Sequence, residues 1–265
     1  MNQQALAVDF DISLFERLYI RSTAGDTTSD HGEAETEIPV NGVKTLMLNT
    51  QYRMHPEICE FSSREFYDAS LKSGITGIDR PLFPSLFPFP PSAVPREHKR
   101  AVFVECASRE AVGQKSKENA GQASLCKHIC KLLTTAKDME ENGVSPSPKG
   151  GQSIAVLTPY SRQVELLKRG LSDLNDVEVS SIDGFQGHDA DVVVFVTVRC
   201  NEHRDIGFLK DLRRMNVALT RARTALIVIG NRSTLTEGEA DPQSTAMWKR
   251  LIDGLTSVPI ESPKP

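Results

Sequence analysis

The sequence lacks any run of apolar residues long enough to cross a membrane. A spanning helix needs about 20 consecutive apolar residues, whereas the prominent apolar run here covers only residues 192–198. The first residues also lack the pattern of a signal peptide, because Asp9 and Asp11 interrupt any apolar segment there. We therefore expect an intracellular protein of the nucleus or cytoplasm that has no membrane partner.

The sequence also lacks an excess of positive charge. It has 31 Lys and Arg residues against 35 Asp and Glu residues, a formal net charge of −4 at pH 7. An electrostatic affinity of the whole protein for nucleic acid is therefore not supported, and any such binding must come from a local patch. Residues 199–223 contain one. Its basic residues are Arg199, Arg204, Lys210, Arg213, Arg214, Arg221 and Arg223.

Cysteine is scarce and shows no pairing pattern. The five cysteines are an odd number scattered through apolar surroundings, which is typical of a reducing compartment. Cys126, His128 and Cys130 have the wrong spacing for a zinc knuckle, and no second pair of ligands follows. We predict no metal site and expect the cysteines to be buried or inert.

The 265 residues, 39% of them hydrophobic, are enough to build one large core. Runs rich in Val and Ile are typical of strands buried on both faces, and they alternate with amphipathic segments. This order predicts an α/β fold, a mostly parallel, doubly wound sheet with flanking helices. Strands are predicted at residues 45–48, 102–106, 154–157, 177–180, 192–198 and 225–230. Helices are predicted at residues 14–19, from Pro56 onward, and at 119–137, 161–171, 212–223 and 244–255.

The remaining segments have the composition of loops. Residues 21–42 are polar, acidic and rich in Gly and Thr, which predicts a loop. The prolines of residues 79–95 exclude a helix or a central strand, so we expect an extended surface segment there. Residues 140–152 and 233–242 are also predicted loops.

Arginine is concentrated in one predicted helix, residues 212–223. The four arginines are Arg213, Arg214, Arg221 and Arg223. A packed helix does not normally crowd guanidinium groups so closely without anionic partners. The partners could be carboxylates on a solvated face, or a phosphate, which suits the planar fork of Arg. The nearby carboxylates are Asp189, Asp191 and Asp211. Spacing alone leaves both possibilities open.

Four stretches of the chain resemble, in order, motifs of superfamily 1 helicases. Residues 51–56 (QYRMHP) resemble motif IV, and residues 158–163 (TPYSRQ) resemble the next motif. Residues 183–187 (DGFQG) resemble motif V, and residues 213–223 (RRMNVALTRAR) resemble motif VI. The resemblance is to the branch that contains the nonsense-mediated-decay helicase and senataxin, and it covers most of the chain.

The resemblance implies a RecA-like fold, and only the second of the two RecA-like domains of such a helicase. The first domain supplies a P-loop and the Mg²⁺-binding acidic motif, but this sequence contains no G-x-x-x-x-G-K-[ST]. We expect residues 1–43 to be a linker and a short helix from the tail of a missing first domain. Residues 44–256 are the expected RecA-like helicase C-terminal domain, and residues 257–265 a disordered tail. By itself the chain is expected not to turn over ATP.

The resemblance also assigns residues to ATP, which such helicases bind between their two RecA-like domains, with Mg²⁺ held by the first. It implies that Arg53 contacts the γ-phosphate and that Arg221 is the arginine finger, so these are the predicted catalytic residues. Further residues are expected on the nucleotide side: Gln51, Tyr52, Gly187, Asp189 and Arg223. Asp189 departs from the family, which has the longer Glu there. Two alternatives stay open, a salt bridge between Arg53 and Glu57 and simple core packing of Tyr52.

Single-stranded RNA or DNA is implied to cross the opposite edge of the sheet. The expected contacts are Thr158, Pro159, Ser181, Thr197 and Arg199. Short hydroxyls and backbone N–H groups suit phosphate contacts that ignore base sequence. Alternatively, Ser181 and Thr197 merely lie at strand ends.

The function implied is the second RecA-like domain of an ATP-dependent RNA or DNA helicase. Its partners would be single-stranded nucleic acid and a first RecA-like domain in cis or in trans. The alternative is a non-catalytic relic of a helicase that binds nucleic acid or a protein. A Rossmann-type enzyme is a third idea, which the absence of a G-x-G-x-x-G turn after a first strand disfavours.

Overall fold

The computed structural model describes residues 47–81, 100–112, 116–141 and 153–258, without the side chains of residues 112 and 135–141. The predicted helix 14–19 and loop 21–42 lie outside the described residues, as do most of the segments 79–95 and 140–152. The elements below all belong to one unit, Asn49–Pro265.

Ten strands and six α-helices are described, together with three short 3-10 helices. In chain order the strands and α-helices are β1 (Thr50–Gln51), α1 (Pro56–Phe66), β2 (Lys72–Ser73), β3 (Ala101–Glu105), β4 (Ala111–Val112), β5 (Lys117–Glu118), α2 (Ala120–Glu141), β6 (Ile154–Thr158), α3 (Ser161–Gly170), β7 (Val177–Ser181), β8 (Ala190–Val196), α4 (Leu212–Leu219), β9 (Ala222–Gly230), α5 (Arg232–Thr236), α6 (Pro242–Gly254) and β10 (Thr256–Val258). The 3-10 helices are Gly77–Asp79, Asp183–Phe185 and Gly207–Lys210.

The centre of the fold is a six-stranded parallel sheet. Its strand order is β10-β3-β9-β8-β6-β7. The central strands β8 (ADVVVFV) and β9 (ARTALIVIG) are buried along nearly their whole length. Continuous apolar sequence is required there because helices cover both faces of a parallel sheet. Two smaller pairs lie outside this sheet, β1 with β2 in parallel and β4 with β5 antiparallel.

Each face of the sheet has its own core. On one face, Trp248 of α6 packs in the same cluster as Phe195 of β8. On the other face, Leu125 of α2 and Leu167 of α3 pack with Val194 of β8. Adjacent residues of β8 thus serve opposite cores, as the two-residue repeat of a strand requires. The predicted doubly wound α/β fold is confirmed.

The predicted arginine helix 212–223 is too long by four residues. The helix α4 begins after Asp211, whose side chain accepts a hydrogen bond from the N–H of Arg214 at 3.2 Å. It ends at Leu219, and the hydroxyl of Thr220 then donates to the carbonyl of Asn216 at 2.7 Å. The β-branched run that follows starts strand β9 at once. The last two arginines of the motif therefore lie outside the helix.

Two other predicted boundaries were wrong. Residues 47–48 are not in a strand, which begins at Thr50. The predicted loop 233–242 overlaps helix α5, because the side chain of Asn231 caps that helix by accepting from the N–H of Thr234 at 3.0 Å.

The carboxyl-terminal edge strand was also missed. Ser257 and Val258, which the sequence places in the tail, pair in parallel with Phe103 and Val104 of β3. Strand β10 thereby covers one edge of the main sheet.

The five cysteines are free and buried. A hydrogen bond with Cys130, together with burial, raises the pKa of the Cys126 thiol, which keeps it protonated at neutral pH. Among the described residues, no group of three or more His, Cys, Asp or Glu side chains is arranged to hold a metal ion. In the same part of the chain, no helix is both long and apolar enough to cross a bilayer.

Candidate functional site

The turn at residues 51–54 is held by the side chain of Gln51. Its Oε1 accepts hydrogen bonds from the N–H groups of Arg53 (2.8 Å) and Met54 (2.7 Å). Its Nε2 donates to the carbonyl of Met54 (2.9 Å) and to Oγ of Ser73 (2.8 Å). Both donors and both acceptor positions of the amide are thus used. In this structure Gln51 holds the turn that presents its two neighbours.

Those neighbours are Tyr52 and Arg53. Tyr52 is 65% exposed, which rules out simple core packing, and its ring lies so close to Gly74 that a Cβ there would come within 2.3 Å of Cε1. The guanidinium of Arg80 braces the backbone of the turn. Its Nε donates to the carbonyl of Arg53 and its Nη2 to the carbonyl of Tyr52, each at 2.9 Å.

His55 ties this turn to the main sheet. Its backbone N–H donates to the carbonyl of Arg223 at 2.7 Å. Its Nδ1 accepts from the N–H of Glu57 at 3.2 Å and so caps helix α1. Burial, and then the positive charge of Arg100, lower the pKa of His55 to about 4. The imidazole is therefore neutral at pH 7, as this acceptor role requires.

Arg53 reaches from the turn to the beginnings of two strands. Its Nε donates to Oδ2 of Asp189 at 3.1 Å, and its Nη1 donates to the carbonyl of Thr220 at 3.3 Å. The alternative salt bridge to Glu57 is not formed, because Arg53 pairs with Asp189 instead. Oε1 of Glu57 accepts from the backbone N–H of Arg100 at 3.1 Å. Arg53 therefore links the QYRMHP stretch to Thr220 of the RRMNVALTRAR motif and to Asp189, just after the DGFQG motif.

Arg223, near the start of β9, contacts both acidic residues of this region. Its Nη1 lies 3.5 Å from Oδ1 of Asp189, and its Nε lies 3.1 Å from Oδ1 of Asp191. We call the side chains of Arg53, Arg221, Arg223, Asp189 and Asp191 the arginine cluster.

The hydrogen bonds of Arg221 go to backbone carbonyls. Its Nε donates to the carbonyl of Val217 at 3.0 Å, and its Nη1 donates to the carbonyl of His188 at 3.3 Å. Burial, and then the positive charge of Arg53, lower the pKa of Arg221, while Asp189 opposes them. Two guanidinium groups are thus held close enough to repel each other across a single carboxylate.

Gly187 provides the turn that leads into this cluster. Its φ of +90° is a backbone conformation that residues with a side chain rarely adopt. No atom would lie within 4 Å of an added Cβ. Glycine is therefore needed for the backbone conformation and not for close packing. The next residue, His188, offers its carbonyl to Arg221.

The arginine cluster lies at the amino edge of the sheet. Ala190 and Ala222, the first residues of β8 and β9, pair with each other, and Asp189 and Arg221 directly precede them. The structure brings together here most of the residues predicted for the nucleotide side. They contact one another within the cluster or lie in the turn that leads into it. They are Arg53, Gly187, Asp189, Arg221 and Arg223.

Arg214 has carboxylate partners, the first of the two possibilities that the sequence left open for the arginine-rich segment. It lies 3.4 Å from Asp183 and 3.6 Å from Asp211, with about half of its side chain in solvent. These are ion pairs of a solvated helix face, so carboxylates and not a phosphate account for Arg214.

The predicted nucleic-acid contacts lie at the other, carboxyl edge of the sheet. Thr158 and Ser181, the last residues of β6 and β7, pair with each other, and Thr197 directly follows β8. Pro159 is half-buried beside them. Both threonine side chains are fully buried, and within the described part of the chain their hydroxyls have no hydrogen-bond partner. Ser181 accepts from the N–H of Gly184 at 3.0 Å.

Arg199 differs from the others, because its side chain is only 3% exposed. Its Nη2 lies 2.7 Å from Oδ2 of Asp205, its Nε lies 3.0 Å from Oε2 of Glu110, and its Nη1 donates to the hydroxyl of Tyr160 at 3.3 Å. Burial tends to raise the pKa of Glu110, but hydrogen bonds from Lys117 and a backbone N–H, with the Arg199 charge, hold it below its usual value. To reach a phosphate, Arg199 would have to leave these ion pairs.

The two groups of predicted residues are therefore separated by the length of the strands. The amino edge offers fixed guanidinium groups, which suit the charge and geometry of phosphate. The carboxyl edge offers hydroxyls and the ends of parallel strands, where ligands of open α/β sheets commonly bind.

Sequence reasoning missed two elements of these sites. Arg80 lies near the start of a segment whose only evident signal is its prolines, so its bracing role has no local sequence signature. Phe208 and Tyr160 contact each other at the carboxyl edge, with ring centroids 5.5 Å apart. The tyrosine of TPYSRQ was a signal for that site, but its partner, 48 residues later, was not predictable from spacing.

Comparison with known proteins shows the family to which the chain belongs. The regulator of nonsense transcripts 1 homolog of Arabidopsis thaliana is 37% identical over 208 residues, 74% of this chain and 15% of the relative. The regulator of nonsense transcripts 1 of Caenorhabditis elegans is 34% identical over 215 residues, 80% of this chain and 19% of the relative. Helicase sen1 of Schizosaccharomyces pombe is 30% identical over 224 residues, 82% of this chain and 12% of the relative.

The chain thus spans a small fraction, 12% to 19%, of the length of these relatives. The family model of the AAA domain matches residues 10–233, which include the arginine cluster and the predicted nucleic-acid contacts. The chain therefore belongs to the AAA domain family and is a C-terminal helicase domain of the branch that contains the regulators of nonsense transcripts 1 and helicase sen1.

Proposed function

We propose that this chain is the second motor domain of an ATP-dependent RNA or DNA helicase. It supplies Arg221 and Arg53 to an ATP molecule that a first RecA-like domain holds, and it grips single-stranded nucleic acid at the opposite edge of its sheet. The observation that carries the proposal is the placement of the Arg53 guanidinium, which donates to the carbonyl of Thr220, the residue before Arg221, and to Asp189.

The charge balance of the arginine cluster supports an anionic partner. Three guanidinium groups face two carboxylates, which leaves one positive charge in excess. Arg223 contacts both carboxylates and Arg53 contacts one, whereas the hydrogen bonds of Arg221 go to neutral carbonyls. A phosphate group placed over Arg53 and Arg221 would relieve their mutual repulsion.

The donor set fits the terminal phosphate of ATP. MgATP supplies the phosphoanhydride bond whose cleavage drives such motors. Arg221 would neutralise the negative charge that develops on the transferred phosphoryl group, and Arg53 would orient the γ-phosphate. Tyr52, exposed on the same turn as Arg53, is available to the base. The P-loop and the Mg²⁺ ligands would come from the first domain.

The carboxyl edge would hold the nucleic-acid backbone. The ends of β6, β7 and β8, with the partly exposed Ser181, can bind phosphates whatever the base sequence. The hydroxyls of Thr158 and Thr197 are unpartnered but fully buried, so they would reach a phosphate only after this edge opens locally. Because Arg199 is committed to buried ion pairs, we assign it to positioning this edge and not to direct contact.

The test is the ATPase activity of this chain combined with a supplied first RecA-like domain. Arg221→Ala is expected to lower kcat by about 10³-fold or more, the range measured for arginine fingers. Arg214→Ala is the matched control, because Arg214 belongs to the same motif but pairs with Asp183 and Asp211 on a solvated face. An Arg221→Ala protein as active as the Arg214→Ala protein would refute the arginine-finger assignment.

A second measurement addresses the missing half of the site. The isolated 265-residue chain is expected to show no ATP turnover, because its sequence holds no P-loop. Turnover by the isolated chain would contradict the proposal, whereas turnover that appears only with the first domain supports it over a non-catalytic relic.

A further inference from the structure

An aromatic side chain stands exposed at the carboxyl edge of the sheet. Phe208 lies in the 3-10 helix Gly207–Lys210 and is 55% exposed. Single exposed apolar residues are common on protein surfaces, so exposure by itself assigns nothing. Phe208 is distinguished by how firmly it is held and by what surrounds it.

The backbone around Phe208 is fixed on two sides. Its N–H donates to the hydroxyl of Tyr160 at 3.3 Å, and its ring packs against the Tyr160 ring. The carbonyl of the next residue, Leu209, accepts from the indole N–H of Trp248 in α6 at 3.1 Å. Tyr160 and Trp248 are both buried. The segment that carries the exposed ring is therefore anchored to a buried residue of each core, Tyr160 and Trp248.

Gly207 allows the backbone before Phe208 to lie close to the side chains of Arg199 and Tyr160. Its φ is +55°, and an added Cβ would come within 2.2 Å of Nη1 of Arg199 and within 2.8 Å of the Tyr160 hydroxyl. Arg199 is buried and ion-paired, so it has no room to move aside. The ring of Phe208 is thus preorganised, and little side-chain entropy would be lost when a ligand packs against it.

The surroundings of Phe208 point to one ligand. Tyr160, its packing partner, comes two residues after Thr158, and Arg199 comes two residues after Thr197. Among the residues that the structure describes, the hydroxyls of Thr158 and Thr197 are buried at this edge without hydrogen-bond partners. Two chain segments, residues 158–160 and 197–199, therefore bring polar groups next to an open aromatic face.

We infer that Phe208 is a stacking platform for one base of the single-stranded nucleic acid that crosses the carboxyl edge. The inference rests on the proposed function and adds to it the contact between protein and base. Every base has a π face, so stacking grips a strand without reading its sequence. A motor that moves along any sequence needs that property.

The experiment measures binding of two fluorescein-labelled strands to the 265-residue chain by fluorescence anisotropy. One strand is oligo-dT of about 15 nucleotides, within the site size of single-strand binders. The other is an abasic strand of the same length, which keeps the phosphates and lacks the bases. Two variants are compared with the native chain. Phe208→Leu keeps apolar bulk against Tyr160 but removes the π face, and Phe208→Tyr keeps the ring.

The expected result is a loss of affinity of Phe208→Leu for oligo-dT by about five- to a hundredfold, with Phe208→Tyr close to the native chain. Affinity for the abasic strand is expected to be the same for all three proteins. Equal affinity of the Phe208→Leu and native chains for oligo-dT would overturn the inference. So would an equal loss on both strands, since it would show a structural effect.

The same experiment separates this inference from the proposed function. A native chain that binds neither strand would remove the proposed grip on nucleic acid, and the stacking platform with it. A native chain that binds both strands equally tightly would leave the grip in place and overturn the stacking platform alone.

Discussion

Asp189 accepts a hydrogen bond from Arg53 at 3.1 Å, although 136 residues separate them in the sequence. The other carboxylate oxygen of Asp189 lies 3.5 Å from Arg223. One carboxylate therefore orients two of the three guanidinium groups at the amino edge of the sheet. The short side chain of Asp is thus long enough to reach both arginines.

Replacing Asp189 by Asn removes the charge and keeps the shape of this bridge. We expect the free energy of unfolding to change by less than about 1 kcal/mol, because the pair is about one-third exposed. We expect the ATPase activity of the chain with a supplied first domain to fall about two- to fivefold, because Arg53 loses its orienting partner. Urea unfolding and steady-state kinetics measure the two effects.

Asp191→Asn is the control, since Asp191 contacts Arg223 and does not contact Arg53. Asp189→Glu is expected to retain activity, because it keeps the carboxylate that Arg53 and Arg223 contact. Equal kinetics of the Asp189→Asn and Asp191→Asn proteins would show that the bridge to Arg53 does not matter for turnover.

The brace formed by Arg80 leads to a second prediction. Its guanidinium donates to the carbonyls of Tyr52 and Arg53 at once, a geometry that a lysine ammonium cannot reproduce. We expect Arg80→Ala to lower kcat of the assembled motor by about tenfold, which corresponds to about 1.4 kcal/mol lost from two hydrogen bonds to a charged donor. Arg80→Lys is expected to recover only part of the loss.

A double variant distinguishes positioning from a general structural effect. If Arg80 acts through Arg53, then Arg80→Ala has little further effect on kcat in an Arg53→Ala background. Arg64→Ala serves as a neutral control, because Arg64 is exposed and pairs with Glu60 on the outer face of α1. Additive losses in the double variant would mean that Arg80 does not work by placing Arg53.

Much of the fold was predictable because the strands of a buried parallel sheet have a plain signature. The runs at β6, β8 and β9 are nearly continuous Val, Ile, Leu and Ala, and each was placed within three residues of its observed start. The end of the predicted helix 212–223 was wrong because the spacing of apolar residues carries no information on hydrogen bonds that cap a helix. Thr220, which bonds back to Asn216 and ends the helix, looks like an ordinary helical position in the sequence.

Resemblance to the family motifs identified most residues of the arginine cluster. It could not predict how those residues are arranged in space. Arg53, Asp189 and Arg223 meet only because β8 and β9 pair and because His55 donates to the carbonyl of Arg223. Spacing in the sequence carries no information on such long-range contacts. The burial of Arg199 was missed for the same reason, since its acidic partner Glu110 lies on a different segment.

The buried pair of Arg199 and Glu110 yields a prediction for stability. Their side chains are 3% and 5% exposed, and Nε of Arg199 lies 3.0 Å from Oε2 of Glu110. Removing one partner leaves the other charge buried without compensation, so we expect Arg199→Ala to lower the free energy of unfolding by about 3–5 kcal/mol. Chemical unfolding of the purified chain measures this change.

A double replacement tests whether the pair, and not the side-chain volume, is responsible. Arg199→Met with Glu110→Met is expected to cost less than the sum of the two single changes, because no uncompensated charge remains. The surface pair Arg109 with Glu202 offers a comparison, since both side chains are mostly exposed and removing Arg109 is expected to cost less than about 1 kcal/mol. Similar costs for Arg199→Ala and Arg109→Ala would contradict the buried pair's importance.

His55 gives the protein a predicted pH dependence. Burial and the charge of Arg100 lower its pKa to about 4, against about 6.5 in an unfolded chain. Between these two values the unfolded chain binds a proton that the folded chain does not. The contribution of His55 to stability is therefore complete above about pH 6.5 and is lost as the pH falls toward 4. Because His55 is only half-buried, the loss is on the order of 1–2 kcal/mol and not the full shift.

Unfolding free energies of the native chain and of His55→Asn, measured from pH 7.5 to 4.5, test this contribution. Asn is a good helix cap, so it can still accept from the N–H of Glu57, but it does not titrate. The native chain is expected to lose about 1–2 kcal/mol more than His55→Asn over this range, on top of the loss that both share from their carboxylates. His203→Asn, at an exposed position, is expected to track the native chain. If the native and His55→Asn curves run parallel, the proton that destabilises the fold is taken up elsewhere, and the neutral imidazole that caps α1 and adjoins the start of β9 has no part in acid unfolding.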